Sequence, residues 1–400
     1  MMKKKILLSS FDMAIGGVER SLIGLLSQID YDKYDVDLML FKHEGEFLPL
    51  LPQGPTLLPE IPTYTTFRMP ILQTLREGHL PIALTRLLAR YLGSCHGLLK
   101  RCDEPGYLAI QYGWALSKPY LPQLNHTKYD LAISFLWPHY FVGHKVQAKR
   151  KVGWIHTDYS KIAINKSVDK KMWDNLDKII AVSEECKNSF LKMFPEYSEN
   201  TLVIENILSP NFVWGQSNQD ISPEMPETPG RTKLLTVGRL TFAKGMDDAV
   251  RACRRLLDIG LDIEWYVVGY GPLESELQDL IKQYGVKDRF KLLGKKTNPY
   301  PYIKACDIYV QPSRYEGKAV TVREAQILAK PVLITNFPTA KSQVRDGIDG
   351  LITGMGVEGI VSGLQKLIED KELTNRLISN TMAADYGNNS EIEKLYALIS

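Results

Sequence analysis

At 400 residues, 44% of them hydrophobic, the chain is long enough to bury a sizeable core in two or three domains. A formal net charge of +3 excludes a whole-molecule attraction to nucleic acid, so any electrostatic function depends on local clusters of charge. The five cysteines are never spaced Cys-x-x-Cys, which excludes a cysteine-based zinc site and favours a reducing compartment. The apolar run after the lysines at 3–5 is too short for a signal peptide or a membrane span, so we expect a cytoplasmic protein.

In chain order, the first predicted elements form a β-loop-α unit. It consists of a strand at 5–9, a loop containing Gly16 and Gly17, and an amphipathic helix. More strands are predicted after it, most of them separated by helical patterns, which is typical of a parallel sheet covered on both faces. These strands lie at 36–41, 131–135, 152–155 and 179–182.

The segment at about 66–101 is basic and amphipathic, with six lysines and arginines against a single acid, Glu77. Apolar residues at 84, 87, 88, 91 and 92 recur at helical spacing, and Arg86 and Arg90 lie four positions apart. This pattern predicts either a helix that lies on an anionic membrane or a helix that packs into the core with a solvated edge.

Between residues 209 and 230 the periodicity disappears and prolines accumulate, which predicts a domain linker. The alternation of strands and helices then restarts. We therefore expect doubly wound domains at 1–208 and 231–385, and a C-terminal helix at 386–400 that packs back toward the first domain. The second domain has predicted strands at 234–237, 263–268, 290–293, 308–311 and 332–335.

Two loops of the second domain carry charges that suit a nucleotide ligand. Arg239 and Lys244 follow its first strand, at the edge where open α/β sheets bind ligands, and two cations there can neutralise a pyrophosphate. A later strand ends at residue 311 and a helix begins near Val320, so several backbone amides point toward a bound anion. Glu316 and Glu324 border that helix start and suit hydrogen bonds from sugar hydroxyls. Taken singly, solvated surface charges and a helix-capping acid explain the same residues.

The ordered set of motifs resembles the retaining GT-B glycosyltransferases of glycosyltransferase family 4. The resemblance implies an α/β protein of the GT-B class, with two Rossmann-like doubly wound domains facing a deep inter-domain cleft. It spans nearly the whole chain, and the set is far more specific than any one member. The motifs are Gly16-Gly17-Val18-Glu19-Arg20, Ala181-Val182-Ser183, Glu205-Asn206, Gly238-Arg239 with Lys244-Gly245, Val268-Gly269-Tyr270-Gly271-Pro272, and the pair Glu316 and Glu324.

By this resemblance, Arg239 and Lys244 hold the donor diphosphate, Glu324 binds the nucleotide ribose, and Glu316 contacts hydroxyls of the transferred sugar. Glycines at 16 and 17 would let the amino-terminal loop approach the donor phosphate, because a side chain would obstruct that approach. The donor site would also include Gly269, Gly317, Lys318, Ala319 and Val320.

His156 follows the predicted strand at 152–155 and resembles the histidine that contacts the donor sugar in this family. The alternative is a structural histidine. Together with it, we take Glu316, Arg239 and Lys244 as candidate catalytic residues. Asp35-Val36-Asp37 imitates a metal motif, but it lies at the start of a predicted strand, so we expect no catalytic metal and no cofactor.

The resemblance implies a metal-independent hexosyltransferase that retains the anomeric configuration. Its donor would be a nucleotide diphosphate sugar, such as a UDP-sugar, and its acceptor a glycan or lipid-linked precursor of a capsule or exopolysaccharide, near the inner face of the membrane. Lys318-Ala319 and Ala329-Lys330-Pro331 depart from the family pattern, so the sugar is not identified. Other classes remain open: a nucleotide-sugar epimerase, a silent nucleotide-sugar-binding protein, and a dinucleotide-dependent oxidoreductase, for which the glycine fingerprint is incomplete.

Overall fold

The structure is a computed structural model that describes residues 3–100, 106–124, 127–157, 159, 162–316, 318–388 and 390–399, with only the backbone of 99, 100 and 106. The chain divides into two compact units. Unit 1 consists of Met1–Ile207 with Asn389–Ser400, and unit 2 of Leu208–Asn388.

Unit 1 is built on a parallel sheet of strand order β3-β2-β1-β4-β5-β6-β7. Its strands are β1 Lys4–Ser10, β2 Tyr34–Leu40, β3 Thr56–Leu57, β4 Lys128–Ser134, β5 Gln147–Ile155, β6 Lys178–Ala181 and β7 Thr201–Val203. Its helices are α1 Gly17–Leu26, α2 Pro62–Thr65, α3 Ile71–Arg76, α4 Leu80–Lys100, α5 Gly106–Ser117, α6 Tyr140–Lys145, α7 Lys166–Trp173 and α8 Glu184–Met193.

Unit 2 has a second parallel sheet, of order β10-β9-β8-β11-β12-β13. The strands are β8 Thr232–Val237, β9 Ile263–Val268, β10 Phe290–Leu292, β11 Ile308–Gln311, β12 Val332–Thr335 and β13 Leu351–Thr353. The helices are α9 Pro210–Gln216, α10 Met246–Asp258, α11 Glu274–Gln283, α12 Tyr300–Ala305, α13 Val320–Ile327, α14 Gly356–Glu369 and α15 Lys371–Ala383.

Both faces of the unit 2 sheet are buried, which explains why its strands are continuous apolar runs. All six residues of β9 are buried. Trp265 packs into the core on one face of the sheet and Tyr266 into the core on the other, as alternating side chains of a strand must. The prediction of two Rossmann-like α/β domains is confirmed.

In each sheet the strand order reverses direction once. The reversal lies between β1 and β4 in unit 1 and between β8 and β11 in unit 2. Open α/β sheets bind ligands outside the carboxyl ends of the strands at such a switch point. The loops that follow these four strands are therefore the places to examine for a site.

The segment 209–230 differs from the predicted linker, because it is part of unit 2. It contains α9, which Ser209 caps by accepting a hydrogen bond from the amide of Phe212. Val213, Ile221 and Met225 are buried in the core of unit 2. The apolar side chains between the prolines are thus enough to fix this segment on the sheet, although they follow no period.

Residues after 389 cluster with unit 1. They form α16, Ser390–Tyr396, whose Tyr396 ring stacks on Tyr34 of β2 with centroids 4.5 Å apart. The Tyr396 hydroxyl also accepts a hydrogen bond of 2.9 Å from the amide of Asp30. The last helix is therefore part of unit 1, although it directly follows unit 2 in the sequence.

The basic segment forms α3 and α4, and four of the five apolar residues of the predicted stripe on α4 are exposed, whereas Leu92 is half-buried. The opposite face of α4 is buried against α5, where a Cβ on Gly93 would lie 2.9 Å from the amide nitrogen of Ala109. Arg86 is half-buried and donates hydrogen bonds to the carbonyls of Thr66 and Met69. The exposed residues of the stripe therefore do not pack into the core, and for them that alternative is wrong. The side chains of Lys100 and Arg101 lie outside the described residues. The exposed stripe consists of Leu84, Leu87, Leu88 and Tyr91.

Candidate active site

The loops after β8 and β11 meet at the switch point of unit 2. Lys244 lies in a 3-10 turn after β8, and Glu316 lies in the loop after β11. The Nζ atom of Lys244 is 2.5 Å from Oε1 and 2.6 Å from Oε2 of Glu316. Two residues that are 72 positions apart in the chain thus form one ion pair at the edge where this fold binds ligands.

The Glu316 carboxylate is held by neutral donors as well as by Lys244. The Ser313 hydroxyl donates a hydrogen bond of 2.6 Å and the Gln311 amide one of 3.1 Å to its Oε1. Its backbone carbonyl accepts from the Thr339 hydroxyl at 2.9 Å. The Glu316 side chain is only 8% exposed. Its position is therefore fixed from several sides, in the way a site carboxylate must be to orient a ligand.

Sequence reasoning did not assign roles to Gln311, Ser313 and Thr339. All three are uncharged, and Gln311 and Ser313 are fully buried. The signal that could have found Gln311 and Ser313 is their place at the carboxyl end of a predicted strand, next to Glu316. Thr339 lies four residues after the end of β12 and carries no such signal.

Arg239 follows β8 directly and is exposed. Among the described residues, no acceptor or carboxylate pairs with its guanidinium group. Lys244, by contrast, is 23% exposed and already paired with Glu316. One of the two predicted cations is thus available to an anion, whereas the other must exchange partners.

The loop after β8 makes close backbone contacts with the loops after β9 and β11. A Cβ on Gly269, just after β9, would lie 1.9 Å from the carbonyl oxygen of Gly238. Gly245 has a φ of 63°, and a Cβ there would lie 2.1 Å from the carbonyl oxygen of Pro312. Only glycine allows these approaches, so Gly269 has a structural role at the site.

Arg314 clamps the same loops together, a role that the sequence did not indicate. Its guanidinium group donates to Asp247 at 2.8 and 2.9 Å and to Asp248 at 2.6 Å, and it lies 4.3 Å from the centre of the Phe242 ring. Burial alone would raise the pKa of Asp247, but hydrogen bonds from Arg314 and Arg251 lower it to about 2. The clamp therefore stays charged across the physiological range.

Helix α13 begins at Val320 with Ala319 as its N-cap residue. The amide of Ala319 donates a hydrogen bond of 2.8 Å to Oε1 of Gln343, so one amide of the predicted anion site already has a partner in the protein. Lys318 is half-buried, and the predicted Gly317 lies outside the described residues.

Glu324 lies one turn inside α13 and is fully buried. Its Oε1 accepts a hydrogen bond of 3.0 Å from the Tyr300 hydroxyl. The Glu324 carboxylate thus lies on the helix that starts beside Glu316, but it is buried in unit 2 and not exposed at its surface.

In unit 1, Gly16 is the N-cap residue of α1 and Gly17 is its first residue, so both lie where the chain enters α1 after β1, at the carboxyl edge of that sheet. Among the described residues, no atom lies within 4 Å of a Cβ placed on Gly17, so this position is not crowded. Nearby, burial and then the charge of Asp12 raise the pKa of Glu19 to about 7, although a backbone hydrogen bond and Arg68 act in the opposite direction.

His156 follows β5 at the same edge of unit 1. Burial lowers its pKa to about 3, and its Nε2 has no hydrogen-bond partner among the described residues. Its ring lies 4.6 Å from that of Phe135. Burial and the nearby His156 also lower the pKa of His139 to about 3. His156 is therefore a neutral imidazole near neutral pH, and its orphan nitrogen is suited to a hydrogen bond with a ligand.

The Asp35-Val36-Asp37 motif lies on β2, as the sequence predicts, and Asp37 accepts a hydrogen bond of 2.7 Å from the Tyr129 hydroxyl. Within the described ranges, no cluster of His, Cys, Asp and Glu side chains could hold a metal ion. Every helix in the described part of the chain is too short or too polar to cross a bilayer.

Residues 217–383 match the family model of glycosyl transferases group 1. The match lies within unit 2 and covers most of its length. The match includes Arg239, Lys244, Glu316 and Glu324, so the switch-point loops lie inside the family domain.

Relatives of the chain are also glycosyltransferases by name. An uncharacterized glycosyltransferase of Methanocaldococcus jannaschii is 27% identical over 187 residues, 46% of this chain and 46% of the relative. N-acetylgalactosamine-N,N'-diacetylbacillosaminyl-diphospho-undecaprenol 4-alpha-N-acetylgalactosaminyltransferase of Campylobacter jejuni is 30% identical over 142 residues, 35% of this chain and 38% of the relative. The chain thus matches less than half the length of either relative.

The crystal structure of HepE of Anabaena in complex with UDP and glucose resembles the whole chain, with a TM-score of 0.67. The two chains are 19% identical, and the match covers 98% of each. At this identity the likeness shows a shared fold, and it extends the similarity of unit 2 to unit 1.

Proposed function

We propose that this protein is a retaining glycosyltransferase that moves a hexose from a nucleotide diphosphate sugar to a glycan or lipid-linked acceptor. The observation that carries the proposal is the convergence of Arg239, Lys244 and Glu316 at the switch point of unit 2. HepE, which has the same fold, binds UDP, and this supports a UDP-sugar as the donor.

The charges of the site suit a diphosphate leaving group. Arg239 offers a guanidinium fork that is not engaged by other described residues, and Lys244 offers a mobile ammonium group. An incoming diphosphate would compete with Glu316 for Lys244. Glu316 would remain held by Ser313 and Gln311, and its freed lone pairs would accept hydrogen bonds from sugar hydroxyls.

The reaction follows from these roles. The bond between the anomeric carbon and the diphosphate oxygen breaks, and the acceptor oxygen bonds to the same face of that carbon. The acceptor proton passes to an oxygen of the departing diphosphate, so the chain need not supply a base. Arg239 and Lys244 stabilise the negative charge that grows on the leaving group, a task that a metal ion performs in other enzymes, so we propose that no metal is needed.

His156 would act as a neutral hydrogen-bonding group toward the donor sugar rather than as an acid or base. Its lowered pKa keeps it uncharged from about pH 4 upward. The acceptor class is supported by the Campylobacter jejuni relative, whose name specifies a diphospho-undecaprenol-linked sugar. A place in the synthesis of capsule or exopolysaccharide, at the inner face of the membrane, is part of this proposal.

The test is saturation-transfer NMR with UDP-, GDP-, ADP- and TDP-sugars on the wild type and on the double variant Arg239→Ala, Lys244→Ala. Lys282→Ala is the control, because it removes an exposed cation elsewhere in unit 2. One donor should bind the wild type and the control but not the double variant. If the double variant retained donor binding and turnover within a few-fold of wild type, the proposal would be wrong. Conversion of the donor without any acceptor would indicate an epimerase instead.

A further inference from the structure

A cavity of about 200 Å³ lies in unit 1, where Phe11 follows the end of β1. It is therefore at the carboxyl edge of the unit 1 sheet and beside its switch point, the place where this kind of sheet binds ligands. The donor site proposed above uses the matching edge of unit 2. The lining includes Phe67, Arg68, Arg86, Arg90, Ile110 and Trp114.

One wall of the cavity is aromatic. The rings of Phe67 and Trp114 stack with centroids 4.0 Å apart and planes 8° from parallel. The Phe11 ring lies 6.0 Å from that of Trp114. Such a wall offers a rigid apolar surface to a hydrocarbon group.

The other wall is positively charged. Arg68 forms an ion pair with Asp12, and Arg86 donates to the carbonyls of Thr66 and Met69. Arg90 is exposed and forms no ion pair with any described residue.

Burial, and then the charge of Arg90, lower the pKa of Arg86, so the two guanidinium groups are close enough to repel. No acid is among the described residues that line the cavity. Two neighbouring guanidinium groups without a carboxylate between them favour an anion, and a phosphate above all, because its oxygens match their planar donors.

The size of the cavity limits what can enter it. Pockets that enclose a drug-sized ligand have roughly 300–1,000 Å³, so a cavity of about 200 Å³ holds one end of a longer molecule. Helix α4, which supplies Arg86 and Arg90, also carries the exposed stripe of Leu84, Leu87, Leu88 and Tyr91. An apolar chain that leaves the cavity therefore has an apolar surface beside it.

We propose that this cavity binds the phosphate end of a lipid-linked acceptor, with Arg90 and Arg86 on the phosphate and the aromatic wall and the α4 stripe on the lipid. The inference rests on the proposed function, since a transferase needs an acceptor site in addition to its donor site. It names the acceptor class as a phosphate or diphosphate ester with an apolar chain.

The experiment is calorimetric titration of the full chain with farnesyl diphosphate, inorganic pyrophosphate and farnesol. Arg90→Gln removes the unpaired cation. Gly113→Leu fills the cavity, because the Cβ of Ala89, at 3.9 Å, is the only described atom within 4 Å of a Cβ placed there. Arg76→Gln is the matched control, since it removes an exposed cation of α3 that does not line the cavity. UDP is titrated into the same proteins.

Farnesyl diphosphate should bind more tightly than either inorganic pyrophosphate or farnesol. Arg90→Gln should weaken it about ten-fold, as expected for the loss of a charge-assisted hydrogen bond. Gly113→Leu should weaken it as well, and Arg76→Gln should not change it. UDP binding should stay at the wild-type level in all three variants.

An equal loss in Arg76→Gln and Arg90→Gln, or no loss in Gly113→Leu, would overturn the proposal. Flotation with phosphatidylcholine vesicles, with and without phosphatidylglycerol, distinguishes binding to a phosphate-bearing lipid acceptor from binding to the phosphate headgroups of a membrane. If the protein bound only the anionic vesicles and not farnesyl diphosphate, the basic segment would be a membrane surface and not an acceptor site. If UDP failed to bind the wild type while farnesyl diphosphate bound as expected, the proposed donor site would fail and the cavity would stand.

Discussion

Replacing Glu316 with glutamine tests whether the ion pair with Lys244 is as important as its geometry indicates. The carboxylate accepts from Lys244, Ser313 and Gln311, whereas a glutamine amide has a single acceptor oxygen and places an NH₂ group among those donors. At least one hydrogen bond to a charged group is lost, at a cost of about 1.5–3 kcal/mol. Lys244 is 23% exposed and stays partly hydrated, so the cost is below the roughly 3–5 kcal/mol of a fully buried pair. We expect Glu316→Gln to lower the free energy of unfolding by about 2–3 kcal/mol.

The assay is urea unfolding of wild type and variant, with Glu358→Gln as the matched control. Glu358 pairs with Arg255 at 2.9 Å, but its side chain is 74% exposed. This substitution should cost at most about 0.5 kcal/mol, as is usual for surface ion pairs. If the two substitutions had the same small effect, the reasoning from burial and converging donors would be refuted. UDP binding by Glu316→Gln should be retained or strengthened, because Lys244 is released, while sugar transfer falls.

Three further predictions address the glycines and the pH dependence. Gly269→Ala should destabilise unit 2 by about 2 kcal/mol or more in thermal unfolding, because its Cβ would lie 1.9 Å from the carbonyl oxygen of Gly238. Gly17→Ala should leave the melting temperature unchanged, since its Cβ meets no described atom within 4 Å, yet lower sugar transfer if the start of α1 approaches the donor. Glu19 has a pKa raised from 4.5 to about 7, so the folded state binds the extra proton and stability falls as pH rises between these values. Above pH 7, Glu19→Gln should therefore raise the free energy of unfolding by up to roughly 3 kcal/mol relative to wild type. If the wild type were as stable at pH 8 as at pH 5, as the variant is expected to be, this prediction would be contradicted.

Most of the fold could be predicted from the sequence because its strands are buried on both faces. The predicted strands at 263–268, 308–311 and 332–335 agree with β9, β11 and β12 to the residue. The strands that were missed are β3, β7 and β13, which have only two or three residues. Runs of that length carry no periodicity, and only pairing with a neighbouring strand defines them.

The sequence predicted the charged residues of the candidate site but not the contacts between them. Glu316 and Lys244 could be proposed from their places after strands, whereas their mutual contact depends on β8 and β11 being neighbours in the sheet. The role of Arg314 depends on Asp247 and Asp248, which lie on α10. Likewise, the leucine stripe of α4 left two alternatives open, because periodicity reveals a face and not what covers it.

The order of strands in unit 2 determines when the ion pair can form during synthesis. Arg239 and Lys244 are translated before the six elements α10, β9, α11, β10, α12 and β11, and Glu316 is translated only after them. A ribosome-bound chain that ends before β11 therefore carries the cations without their carboxylate. Because β8 has a neighbour on only one side until β11 emerges, the proposed donor site cannot assemble before β11 has been translated. Nascent chains of increasing length should therefore lack UDP affinity until the loop after β11 and the segment that holds it, through Thr339, have left the ribosome.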